Sequence, residues 1–188
     1  MTSDGANILG RGVVSARTAA DVRAVYDQLV RDGTVTPVKQ FGRFSLETRR
    51  VFLATALALN DADLAGNLPP GTGIIHTSAD GALADNLAYF NDYLRGGRKL
   101  ARANLFIYTL PTSPLGEAAI HFNLNGPLYH ITGSEVNNRE LILTEACSLI
   151  DQGDAPLMLA VISAPAETTC LVTGGSDSLT QDNHTGGW

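Results

Sequence analysis

GPLYHITGSEVNNRELILTEAC, residues 126–147, decides the fold class. Asn125-Gly126-Pro127 turns the chain, and 128–132 alternates as a strand. A sharp turn follows, then a helix over 135–150 that stops at Gln152-Gly153. Residues 156–164, PLMLAVISA, form an unbroken apolar run, as expected of a central parallel strand. Strand, turn, helix and buried strand in this order predict an α/β domain with a mostly parallel sheet and helices on its faces. The same layout is how many enzymes present a nucleophile, and it directs attention to the turn.

The pattern continues upstream. Residues 7–14, NILGRGVV, read as a first buried strand whose glycines, Gly10 and Gly12, admit a close neighbour. Gly-Arg-Gly lacks the third glycine and downstream acid of a dinucleotide loop. Thr18 with Asp21 predicts a capped helix, with Val22, Val25, Tyr26 and Leu29 on one face and Gly33 at its end. Ser45 caps a second helix to about Asn60, with a Phe52, Ala56, Leu59 stripe. A strand at 71–77 and a helix at 82–94 follow; the helix places Leu83, Leu87, Phe90 and Leu94 on one face and stops at Gly96-Gly97. Pro114 can open a further helix over 115–122, because its missing N–H is not needed there. Residues 1–173 read as one domain and 174–188 as a polar, flexible tail.

Bulk properties narrow the function. The chain has 188 residues, 44% of them hydrophobic, enough for one sizeable core. With 13 Lys plus Arg against 19 Asp plus Glu, the net charge of -6 argues against nucleic acid as a partner. No apolar run reaches the roughly 20 residues of a membrane span, and the N-terminus lacks a signal-peptide pattern, so a cytoplasmic location is expected. Cys147 and Cys170, with neither a CxxC pair nor a Cys/His cluster, predict two reduced thiols and no structural metal. No cofactor motif is found.

The order and wording of these segments resemble the N-terminal half of the β-ketoacyl synthases, condensing enzymes with a thiolase-like fold. ILGRGVVSA (8–16) is similar to their opening strand, RFSLETRRVFLATALALNDA (43–62) to their second helix, and 71–97 to the strand and helix before the dimer contacts. NLFIYTLPTSPLGEAAIHFNLNGPLYHIT (104–132) resembles the proline-containing helix and the strand before the nucleophile, and QGDAPLMLAVISA (152–164) the segment after it. GEAAIHFNLNGP is the most specific fragment.

The resemblance implies an active-site cysteine near Val136, where this sequence reads Glu135-Val136-Asn137. Cys147 falls 11 residues further on, about 16 Å along a helix at ~1.5 Å per residue, and beside Glu145 it reads as a packing residue. Ser134 and Glu135 are weak catalytic candidates. Ser134 lacks the second glycine of a nucleophile elbow and also suits a helix cap, and Glu135 suits a helix N-terminus. His76, His121 and His130 fall within strand and helix patterns and His184 in the tail; His130, closest to the turn, is the candidate base.

Complete family members carry a second half that supplies further catalytic groups. A lone half is therefore expected to be non-condensing: an accessory, scaffold or subunit partner in fatty acid or polyketide assembly, covered by a second copy of itself or by a ketosynthase subunit. Strand 128–132 is the expected chain-to-chain edge. The alternatives are an acyl-thioester hydrolase or decarboxylase with an altered site, or an acyl-binding module. Arg95, Arg98, Lys99 and Arg102 form the densest basic group and are candidates for docking an acidic acyl carrier protein, although a solvated loop explains them equally well.

Overall fold

A computed structural model describes residues 7–97, 102–132 and 138–175. Strand β1 (Asn7–Ser15) leads into helix α1 (Ala19–Arg31), then α2 (Leu46–Asp61), β2 (Gly73–Ser78), α3 (Leu83–Gly96) and α4 (Ala103–Ile107). Helix α5 (Ser113–Phe122), β3 (Leu128–Thr132), α6 (Asn138–Asp151), β4 (Leu157–Ala164) and β5 (Glu167–Gly174) complete the order. The sheet runs β1-β5-β4-β2-β3. Strands β4, β2 and β3 are mutually parallel, whereas β5 pairs antiparallel with both β4 and β1.

Local chemistry places most of these boundaries. Thr18 accepts from the Asp21 amide while the Asp21 carboxylate accepts from the Thr18 amide, closing a capping box on α1. Ser45 caps α2. Gly97, at φ 69°, ends α3 in the left-handed region. Pro114 sits in the first turn of α5.

Helix α2 is the centre of the larger core. Val51, Phe52, Leu53, Ala54, Ala58 and Leu59 are all buried against β1, β5, β4 and α5. Its approach to β1 requires both glycines: a Cβ on Gly12 would lie 2.1 Å from the Ala54 carbonyl oxygen, and one on Gly10 would lie 2.6 Å from that of Ala58. Tyr26 stacks on Phe41 at 3.9 Å, and Phe44 and Phe52 complete the cluster. Each such fully buried ring contributes roughly 1.5–3 kcal/mol. On the other face a smaller core joins Ile142, Leu143 and Ala146 of α6 to Ile75, Met158, Ala160 and Leu171.

Three features differ from the sequence-based expectations. Residues 167–174 form β5, whose inward Thr168, Cys170 and Val172 mix polar and apolar character too much for the run to stand out. The sheet is accordingly mixed, with its parallel part confined to β4, β2 and β3. Helix α3 forms as expected, yet contains no buried residue. Its apolar face lies in solvent, with Leu83, Leu87, Phe90 and Leu94 at 51, 53, 55 and 63% exposure.

Candidate functional site

Because β4, β2 and β3 are parallel and in register, they end together: Ser78 pairs with both Thr132 and Ser163. The segments after β2 and β3 leave the sheet at this end, where open α/β sheets collect their ligands. Ser134, Glu135 and Val136 belong to the segment after β3 and lie outside the described residues, as do Arg98, Lys99 and His184.

Strand alternation turns Ile74 and His76 toward α2, together with Leu159, Val161 and Ser163 of β4 and Thr168, Cys170 and Val172 of β5. A polar seam thus crosses the end of an otherwise apolar face. Oγ of Ser163 is 3.2 Å from Oγ1 of Thr168 and 3.0 Å from Nε2 of His76. Nδ1 of His76 is 3.1 Å from Nδ1 of His130 on the neighbouring strand. His76 is 1% exposed, Ser163 6% and Thr168 fully buried, so these contacts replace hydration rather than supplement it.

Helix α2 closes the seam from above. Glu47, in its first turn, holds Oε1 at 3.3 Å from His76 Nε2, while Oε2 is 2.6 Å from Nη2 of Arg50. Arg50 is also buried, and its Nη1 donates to the Pro165 carbonyl at 2.8 Å, tying α2 to the β4–β5 hairpin. Burial alone would raise the Glu47 carboxyl. The hydrogen bond and charge of His76, with Ser163 and Arg50 behind them, override it and hold the group at about 2. Burial and the adjacent His76 instead push His130 down to about 4, so His130 is neutral near pH 7.

The seam opens on a cleft of about 390 Å³. Glu47, Arg50, Ser78 and Ser163 line it together with the first turn of α3, from Leu83 to Asp85. Leu46, Leu83 and Leu87 contribute apolar lining, and Asp80 and Asp85 contribute carboxylates. Burial raises the Asp85 carboxyl, Ser45 opposes the shift by hydrogen bonding, and Glu47 reinforces it.

Of the residues singled out from sequence, His130 is brought into this cluster. Arg102 is ion-paired with Asp92 at 2.5 Å, and Arg95 lies in the last turn of α3. Cys147 is half-buried, its thiol raised by burial and by Asp151. His121 packs edge-on against Phe52. Sequence reading took His76 for a structural histidine within a strand pattern and passed over Glu47, Arg50 and Ser163. Available signals were a histidine at an inward position of the apolar strand GIIHTS, and a Glu47/Arg50 pair spaced i,i+3 at the start of a core helix. Among the described residues, no group of three or more His, Cys, Asp or Glu side chains could hold a metal ion.

The backbone is similar to those of several solved structures. The ishigamide ketosynthase/chain length factor superposes with a TM-score of 0.68 at 18% identity, covering 94% of this chain and 63% of that one. The fold is ketosynthase-like. A β-ketoacyl synthase from Burkholderia phymatum STM815 gives 0.64 at 16% identity, over 94% of this chain and 60% of its own. A ketosynthase described in complex with its type II PKS acyl-carrier protein gives 0.66 at 15% identity, over 92% and 58%. This ketosynthase-like chain therefore spans about three fifths of the length of these structures. No family model matches the sequence, and no curated protein matches it.

Proposed function

We propose that the chain is a non-condensing, ketosynthase-like subunit that serves as an accessory or scaffold partner in fatty acid or polyketide assembly. The observation that carries this reading is an unpartnered apolar face on a ketosynthase-like fold. Leu83, Leu87, Phe90 and Leu94 of α3 lie exposed near Phe106 and Ile107 of α4, and β3 is the edge strand of the sheet. Tyr89 packs edge-on against Phe106 at 5.5 Å, so α4 sits beside α3. An exposed stripe with an open edge strand is the usual sign of a protein partner.

Among the described residues, helix α6 offers no such surface. Glu140, Thr144 and Asp151 are exposed along α6, with Leu141 the large apolar side chain among them. The partner, a second copy of the chain or a ketosynthase subunit, is therefore expected at α3, α4 and β3 rather than at α6. Docking of an acyl carrier protein on Arg95, Arg98, Lys99 and Arg102 is part of the proposal. Absence of a cysteine from residues 133–137 supports the non-condensing assignment.

Multi-angle light scattering tests the reading. A dimer, or a lone chain that binds a hydrophobic dye strongly, is expected; a monodisperse monomer that binds no dye would refute it.

A further inference from the structure

We propose that α3 is a conditionally ordered helix, opening by local unfolding in the free chain and held formed when a protein partner covers its apolar residues. The closing half of this proposal rests on the partner reading above. A helix shorter than about 15 residues is marginal in water, and tertiary packing supplies most of its stability. Helix α3 has 14 residues and buries none of them. Leu83, Leu87, Phe90 and Leu94, the side chains that would hold it to a core, are each more than half exposed. Its N-terminus has no side-chain cap, and Asn86, Asn91 and Gly96 are weak helix formers.

What α3 touches is itself lightly held. Its main packing neighbour is α4, a helix of five residues that also buries none. Between them lie the Tyr89–Phe106 ring contact and the Asp92–Arg102 ion pair, whose Arg102 side chain is 62% exposed, so solvent screens its charge. Asn86 Nδ2 adds a hydrogen bond to the Thr109 carbonyl at 3.2 Å. Helix α2 is the opposite case, with ten of its 16 residues buried. Local stability follows such packing, which puts α3 at the low end of the molecule and α2 at the high end.

Order in α3 reaches the cleft. Ala84 and Asp85, in its first turn, line the cleft with Glu47, Arg50 and Ser163. An open α3 withdraws that part of the lining, so a partner that orders the helix also completes the cleft. The two places are coupled through the folding of one helix, with no rearrangement of the sheet.

Hydrogen exchange of the wild-type protein, read by peptide mass spectrometry, tests the opening. In dilute solution, where light scattering reports a monomer, amides of 83–97 should be protected by about 10- to 100-fold and those of α2 by at least about 1,000-fold. Protection of α3 above that range, or none at all, overturns the proposal. In the associated state α3 protection should rise by about 10-fold or more, and an unchanged value overturns the closing step. Ala88→Gly, at an exposed position off the apolar face, should speed α3 exchange by about 3- to 5-fold through helix propensity alone. An unchanged rate would mean that the helix swings intact, which overturns local unfolding. Slow α3 exchange in the monomer leaves the partner reading standing, whereas fast exchange in a monomer that binds no dye sinks the partner reading and leaves the opening standing.

Discussion

Nδ1 of His76 and Nδ1 of His130 face each other at 3.1 Å, so one of the two nitrogens donates and the other accepts. Burial and the charge of His76 lower His130 from its ordinary 6.5 to about 4, which makes it the acceptor. As pH falls from about 6.5 toward 4, the unfolded chain takes up the His130 proton before the folded one does, and stability falls. Glu47, held at about 2 against an ordinary 4.5, adds a second loss below about 4.5. Denaturant midpoints measured from pH 8 to 3 should decline in both windows. His130→Asn should remove the upper decline and Glu47→Gln the lower; a flat profile from pH 7 to 4 would contradict the cluster.

Gly12→Ala should destabilise the domain by about 1–3 kcal/mol, because its Cβ would meet the Ala54 carbonyl oxygen at 2.1 Å and α2 has no flexible side chain there to yield. Gly42→Ala, with open space around it, serves as the control. Urea unfolding of the two variants checks the difference, and equal midpoints would contradict the packing of β1 on α2.

The two thiols should be unreactive for different degrees of the same cause. Burial pushes Cys170 up to about 12 and also raises half-buried Cys147. A disulfide reagent at pH 8 should modify Cys147 slowly and Cys170 only after denaturation. Fast modification of Cys147 would contradict its assignment as a packing residue.

Much of this architecture was legible in local sequence. Thr18 with Asp21, Ser45, Pro114 and Gly97 mark helix ends through short-range chemistry, and Gly10 and Gly12 announce the close approach of α2. Strand β5 was not legible, because ETTCLVTG alternates inward residues of mixed polarity and its pairing depends on β1, far away in sequence. Nor was the polar seam: Glu47, His76, Ser163 and Thr168 come from four elements and meet only through sheet register. Leu83, Leu87, Phe90 and Leu94 show the opposite lesson. Periodicity identified their common face, but an apolar face reads alike whether it packs into its own core or against another chain.

The central claim, that α3 and β3 are covered by a partner, is tested most directly by light scattering on the wild-type protein and on a Leu87→Asp, Phe90→Asp double variant. Both positions are more than half exposed, so the variant should keep its circular dichroism spectrum and thermal transition. The account predicts a wild-type dimer, or a dye-binding, self-associating species, that the double variant converts to a non-binding monomer. A wild-type monomer that binds no dye, with the variant indistinguishable from it, would contradict the account.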